Sequence, residues 1–301
     1  MGCTPDPIVV VIEPFGGSMR QHSPQLPLVF VDDAAVTRGD GVFETLLLRG
    51  GRVCNASMHA ARFQSSAKLL DLPAPNTSQW LGATQEAAAQ WFARTDQDAK
   101  CVWTYTRGRA STGIPSAWLT VSAVPEQTIT QREQGVRVMT SPRGYTLDIP
   151  EEGSSSPAGA PWLVVGAKTL NYAANMAALR WAQAHGFDDV IFTEGNRILE
   201  GATSTVVTVR GNKLRTPAPE GNILPGTTQA ALFEVAQAQG WNCKLKTNMD
   251  LEYLTEKADS VWLVSSVRMA ARVRRINDTK LRRPDNAAEI EALIAQAIEG
   301  R

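Results

Sequence analysis

Cysteine is scarce in this chain. Cys3, Cys54, Cys101 and Cys243 are scattered through 301 residues without a Cys-x-x-Cys pair, and there are only three histidines. Neither a disulfide framework nor a zinc site is indicated, no metal is expected, and the reducing cytoplasm is the expected compartment. Net charge is also missing, since 30 basic residues balance 30 acidic ones. That leaves no electrostatic case for nucleic acid or an anionic membrane as partner. Long apolar runs are absent too. Ile8 to Ile12 is too short to span a bilayer, and no basic region precedes it as a signal peptide would require. No internal repeat is visible. The remaining composition, 43% hydrophobic and 20% charged, is that of an ordinary globular protein with enough chain for two domains. Val124 to Gln127 is the expected boundary, giving domains 1–124 and 125–301.

The pattern alternates strands and helices. Ile8 to Glu13, Leu28 to Val31, Phe43 to Leu48 with Arg52 to Cys54 as a hairpin, Cys101 to Thr106 and Ala117 to Ala123 read as strands. Met58 to Leu70 and Gln79 to Ala93 read as helices. Beyond the boundary, Gly135 to Thr140 opens a second sheet, and Gly153 to Pro161 has the composition of a flexible loop. The apolar run Trp162 to Ala167 predicts a short buried strand that delivers Lys168 at its end. An Ala-rich helix from Ala173 to His185 follows. Strands over Asp189 to Thr193 and Thr205 to Val209 flank Glu200. A helix from Thr227 to Gln239, a strand over Val261 to Val264 and a terminal amphipathic helix from about Ala287 to Glu299 complete the pattern. Gly39-x-Gly41 lacks the third glycine of a dinucleotide fingerprint, because Glu44 stands there.

Lys168 and Glu200 are the residues around which chemistry could be organised. A lysine amine freed of its proton attacks carbonyls, and the common aldehyde partner is pyridoxal phosphate. That cofactor's pyridine nitrogen needs an acidic partner to keep its proton and so to accept electrons. On composition alone the two residues could equally form a buried ion pair.

Their surroundings decide between these readings. Lys168-Thr169-Leu170-Asn171-Tyr172, then Asn175, Gly186 to Asp189, and Leu199 to Ser204 resemble the core of the fold-type IV pyridoxal-phosphate enzymes. Arg38 to Thr45, His59 to Arg62 and Ile223 to Thr228 extend the resemblance, in family order, from about Asp32 to Arg272. That family includes the branched-chain and D-amino-acid aminotransferases and 4-amino-4-deoxychorismate lyase. The resemblance implies an α/β (α+β) fold with a small N-terminal domain and a larger C-terminal domain carrying a barrel-like sheet. It also implies homodimers and a small-molecule amino substrate.

By the same resemblance, Lys168 is the cofactor lysine and general base, and Glu200 partners the pyridine nitrogen. Tyr172, Arg62, Thr227, Thr228, Ser265 and Ser266 bind pyridoxal 5'-phosphate, the last five at its phosphate. Read alone, Arg62 is a solvated helix arginine and Thr227 a helix cap. Arg107 and Arg109, either side of Gly108, could hold substrate carboxylates or could be exposed turn arginines. D-amino-acid transaminases carry Pro-Arg-x-His shortly after this Arg-Gly, where this chain has Ser111 to Ile114. Branched-chain enzymes usually have one more residue between the lysine and Asn-Tyr. Thr205 stands where much of the family has Asn, and Ser265-Ser266 where it often has Gly-Thr. The chain therefore looks most like the aminodeoxychorismate-lyase type. An amino-acid aminotransferase is the alternative, and a non-catalytic cofactor-binding protein a minor one.

Overall fold

The computed structural model describes residues 5–15, 17–145, 161–219 and 223–299. It divides into two compact units. The first comprises Met1–Pro125, Ala167–Tyr172 and Glu299–Arg301, and the second Glu126–Gly166 and Ala173–Ile298. The six-residue stretch bearing the lysine thus belongs to the first unit, although sequence order places it well inside the second.

The first unit is built on a six-stranded antiparallel sheet. Its strands are β1 (Ile8–Ile12), β2 (Met19–His22), β3 (Gly41–Arg49), β4 (Arg52–Val53), β5 (Ala99–Thr106) and β6 (Ser116–Ala123), in the order β2-β1-β6-β5-β3-β4. Helix α1 (Ala34–Arg38) is a single turn, N-capped by the buried Asp33. Helices α2 (Ala56–Leu69) and α3 (Thr77–Phe92) supply the apolar cover. Along α3, Trp80, Ala83, Thr84, Ala87, Ala88 and Trp91 are buried, the 3–4 spacing of a helix with one face on a core. The Asn76 side chain accepts from the Gln79 N–H and caps the start. Phe63, Trp80, Trp103 and Tyr105 pack as one aromatic cluster, with Phe63 edge-on to Trp80 at 4.9 Å.

β4 pairs only with Leu48 and Arg49 of β3, so it covers only one end of that strand's outer edge. The lysine stretch pairs with the opposite end. Val42 bridges Thr169, the Phe43 N–H donates to the Lys168 carbonyl (3.0 Å), and the Leu170 N–H donates to the Gly41 carbonyl (2.8 Å). Gly41 is needed for this approach: a Cβ there would lie 2.7 Å from the Tyr105 carbonyl oxygen and 2.8 Å from Leu170 Cδ1. Gly41→Ala is therefore expected to destabilise the protein by about 1–3 kcal/mol, as overpacking does. A thermal midpoint within 1 °C of wild type would show that the neighbours yield freely.

The second unit contains a nine-stranded mixed sheet. The strands are β7 (Val136–Pro142), β8 (Asp189–Glu194), β9 (Arg197–Gly201), β10 (Thr205–Arg210), β11 (Lys213–Pro217), β12 (Asn242–Lys246), β13 (Ser260–Ser265), β14 (Met269–Ile276) and β15 (Thr279–Lys280). Their order is β12-β11-β10-β13-β14-β7-β8-β9, with β15 on β14. Val136, Val138, Ile191, Val206, Leu263 and Val273 form the main core under this sheet. Helices α4 (Glu126–Gln134), α5 (Ala173–Ala184), α6 (Thr227–Ala238) and α7 (Ala287–Glu299) complete it. No helix among the described residues is long and apolar enough to cross a membrane.

Three local expectations are corrected. Trp162 to Ala167 is not a buried strand. Pro161–Leu163 is a 3₁₀ turn with Trp162 78% exposed, and the positive φ of Val164 (44°) and Gly166 (94°) is incompatible with extended backbone. Leu28 to Val31 is not a strand either: Phe30 and Val31 are exposed, and the pairing edge beside β1 is taken by β2. Helix α4 begins where only a boundary was expected. The 153–160 loop lies outside the described residues, as do residues 221 and 222 of the turn before α6.

Candidate active site

β3 alternates its side chains across the sheet. Val42, Glu44, Leu46 and Leu48 point into the core, and Phe43 points the other way. Phe43 meets the lysine. Its ring centroid lies 4.1 Å from Lys168 Nζ and 5.1 Å from the Tyr172 ring, edge-on. The Tyr172 hydroxyl stands 3.3 Å from the same nitrogen. The Lys168 backbone N–H donates to the buried Ser66 hydroxyl of α2 (3.0 Å). The amine is thus framed by two aromatic rings and a phenol, with its backbone tied down on both sides.

Glu44 is fully buried in an otherwise apolar row and takes its partners from α2. Its carboxylate accepts from Arg62 Nε (2.7 Å) and Nη2 (2.8 Å), from His59 Nδ1 (2.7 Å) and from the Thr45 N–H (3.3 Å). Burial alone would raise its pKa. The charge and hydrogen bonds of Arg62, with the His59 bond, outweigh that and hold it at about 2. Burial lowers the pKa of His59, which is therefore neutral near pH 7 and donates its Nδ1 proton to the carboxylate. Because the folded-state pKa of Glu44 is depressed, its contribution to stability is complete above pH ~4.5 and is lost as the pH falls toward 2. Glu44→Gln should therefore flatten the acid limb of the urea midpoint between those values. An unchanged acid limb would show that the carboxylate is not the group that titrates.

The two arginines of the Arg107-Gly108-Arg109 turn are both engaged. Arg107 donates to both Asp40 oxygens (2.6 and 3.2 Å) and to the Leu70 carbonyl (2.6 Å), clamping the start of β3 to the end of α2. Arg109 donates from Nε to Asp32 (2.9 Å) and stacks over Phe30 at 4.1 Å. Asp32 also accepts from the Ser111 hydroxyl (2.6 Å), and these hydrogen bonds, the Ser111 one foremost, hold its pKa at about 2. Ser111, where D-amino-acid transaminases place their carboxylate trap, thus serves Asp32.

In the second unit, Glu200 lies on β9 and accepts from the Leu224 N–H (3.3 Å). Asn175 on α5 fixes the following turn by donating to the Ala202 carbonyl (2.7 Å). Thr227 and Thr228, both buried, open α6, where no side chain caps the helix. Gly226 at that start packs against the Thr205 hydroxyl so closely that a Cβ would not fit. A helix N-terminus without a side-chain cap, flanked by buried hydroxyls, has the N–H groups and the dipole that suit an anion. Ser265 ends β13, Ser266 follows it, and Arg132 of α4 holds the next carbonyl, Val267, through Nε (3.2 Å). Arg268 Nη1 ties the same turn to the buried Asp189 (2.6 Å). Taken unit by unit, the first offers an amine beside two aromatic rings, and the second a carboxylate and a helix start with buried hydroxyls; these are the kinds of group that pyridoxal phosphate needs.

The motif residues divide by role. Asn175, Asp188 and Asp189 are structural, Asp188 being paired with Arg137 at 3.1 Å. Glu44, His59, Ser66 and Arg132 were not given roles from the sequence. Glu44 and His59 lay inside the matched motifs, and Ser66 falls one helical turn after Arg62. Nothing in the sequence pointed to Arg132.

The model of the family described as amino-transferase class IV matches residues 41–276. The chain belongs to that family and is a pyridoxal-phosphate-dependent enzyme of fold type IV. It is 42% identical over 284 residues to the bifunctional aminodeoxychorismate lyase / D-amino acid transaminase of Mycobacterium tuberculosis, covering 91% of this chain and 95% of that one. Among solved structures, it resembles a hypothetical aminotransferase from M. tuberculosis in its PLP-bound form. The TM-score is 0.88 at 40% identity, covering 97% of this chain and 99% of that one. A form of that aminotransferase bound to alpha-ketoglutarate and PMP gives a TM-score of 0.87 at 41% identity, covering 96% and 98%.

Proposed function

We propose that the chain is a 4-amino-4-deoxychorismate lyase that releases 4-aminobenzoate and pyruvate. The 42% identity to a bifunctional lyase and transaminase, over nearly the whole of both chains, carries this reading. The short spacing from Lys168 to Asn171 and Tyr172, which the lyase type shares with the D-amino-acid transaminases, speaks against the branched-chain type. When bound, pyridoxal phosphate supplies an aldehyde for a lysine amine and a ring that accepts electrons from a substrate carbon.

The chain's own residues do the rest. Lys168 Nζ binds the aldehyde and, once the substrate amine has displaced it, takes the proton from the carbon bearing that amine. Tyr172 orients Nζ through its hydroxyl, 3.3 Å away. Glu200 keeps the proton on the pyridine nitrogen. Arg62, Thr227, Thr228, Ser265 and Ser266 hold the phosphate. Arg107 and Arg109, both partly exposed at their turn and each paired with an aspartate, meet the substrate carboxylates. In the lyase branch the ring's carbon–oxygen bond to the enolpyruvyl group breaks, that group takes a proton to become pyruvate, and the ring becomes aromatic.

An amino-acid aminotransferase is the second reading. It is favoured by the relative solved with alpha-ketoglutarate and PMP, the pair expected of a transamination half-reaction. In that branch Lys168 would give back the proton it has taken, no carbon–oxygen bond would break, and the amino group would pass to a 2-oxo acid. Product analysis separates the two readings. The lyase reading expects 4-aminobenzoate and pyruvate from aminodeoxychorismate without any 2-oxo acid. Absence of both, with transfer from L- or D-amino acids to 2-oxoglutarate, would make the chain a transaminase only.

We also propose a cytoplasmic homodimer. Buried, unpaired Cys54 and Cys101, whose thiols burial pushes to about 11 and about 12, suit a reducing compartment. Exposed Phe30, Val31, Val36 and Ile114, around the Arg109 turn, support an apolar contact with a second copy. Sedimentation at the monomer mass across micromolar concentrations would contradict the dimer.

A further inference from the structure

We propose that Glu44 is a positioning residue for the cofactor's phosphate: with His59 behind it, its carboxylate fixes the Arg62 guanidinium in the one orientation that meets the phosphate. This rests on the reading that Arg62 binds that group. A charged side chain in the core-facing row of β3 is costly unless it is paired. Here it is paired along the fork of one arginine, Nε and Nη2 each within 2.8 Å of a carboxylate oxygen. Such a two-point bond fixes the plane of the guanidinium as well as its position. His59, 1% exposed, donates to the same carboxylate at 2.7 Å and so fixes Glu44 in turn.

One helix carries the whole assembly. His59, Arg62 and Ser66 follow one another at helical spacing on α2, and Ser66 accepts the Lys168 backbone N–H. The arginine that would hold the phosphate and the backbone of the lysine that would bind the aldehyde are therefore referenced to the same rigid element. Phe43 and Glu44, adjacent on β3 and pointing to opposite faces, complete the reference: Phe43 binds the lysine stretch, and Glu44 binds the arginine.

The test compares affinities of the cofactor-free full-length protein for pyridoxal 5'-phosphate and for pyridoxal, which lacks only the phosphate. Their ratio isolates the phosphate's contribution. Arg62→Ala should collapse the ratio. Glu44→Gln keeps the shape but presents an amide N–H to the guanidinium, and it should lower the ratio about tenfold to a hundredfold, leaving pyridoxal affinity near wild type. Added to Arg62→Ala, Glu44→Gln should change the ratio no further, since the two act as a unit.

If Arg62→Ala leaves the ratio intact, the phosphate reading of Arg62 fails. If Arg62→Ala collapses it and Glu44→Gln does not, the positioning role alone fails. A rise in the ratio on Glu44→Gln would mean that the carboxylate competes with the phosphate, and would also overturn the proposal. Should Glu44→Gln fail to fold, Glu44→Asp takes its place. It retains the charge but shortens the reach, and a ratio between those of wild type and Arg62→Ala is expected. A wild-type ratio would overturn the role.

Discussion

Alanine at position 168 should abolish turnover and the visible absorbance of lysine-bound cofactor together. Lys168 Nζ is the group that would both hold the aldehyde and move the substrate proton, so a single substitution removes nucleophile and base. The expected loss in kcat is at least about 10⁴-fold, the upper range for one proton-transfer group. The fold should survive, because the stretch is held by its backbone: the Phe43 N–H on the Lys168 carbonyl, Ser66 on the Lys168 N–H, and Leu170 on Gly41. Circular dichroism should match wild type while stopped-flow turnover vanishes. Activity within tenfold of wild type would remove Lys168 from the chemistry.

Replacing Glu200 with glutamine should leave cofactor binding largely intact and slow turnover by about 10²–10³-fold. Glutamine still offers an oxygen to the Leu224 N–H, so the local structure is retained. What is lost is the negative charge that, on the proposed reading, would keep the pyridine nitrogen protonated. Breaking a buried ion pair costs about 3–5 kcal/mol; Glu200 is only partly buried, so the lower part of that range, about 3–4 kcal/mol, applies and corresponds to that rate range. The loss should fall on kcat rather than on cofactor affinity, because the residues proposed to hold the phosphate are other ones. A variant with normal kcat and weak cofactor binding would make Glu200 a binding residue only.

Much of this was legible in the sequence because the chemistry is carried by short motifs. Lys168 to Tyr172, Leu199 to Ser204 and Ile223 to Thr228 announce their residue types at fixed spacing, and most helices and strands follow from periodicity. The failures share a cause. Trp162 to Ala167 is apolar enough for a buried strand, yet Trp162 is exposed and Gly166 takes a positive φ. An apolar run does not say what will cover it. Met19 to His22 is polar and carries no strand pattern, but an edge strand needs only backbone pairing with β1.

The ion-pair network was the hardest part to see. Glu44 alternates in register with Val42, Leu46 and Leu48, and nothing local marks it as a charge matched by a helix fifteen or more residues away. Arg107 shows the same limit. Its place in a glycine turn marks it as a candidate for substrate carboxylates, but nothing local shows that it also donates to Asp40 and the Leu70 carbonyl.

The most direct test is chemical trapping. The purified protein, loaded with pyridoxal phosphate, is reduced with borohydride, digested and sequenced by mass spectrometry. The account predicts the cofactor's mass on the peptide containing Lys168 and on no other lysine. Stable labelling of a different lysine, or none while the visible absorbance is present, would contradict it.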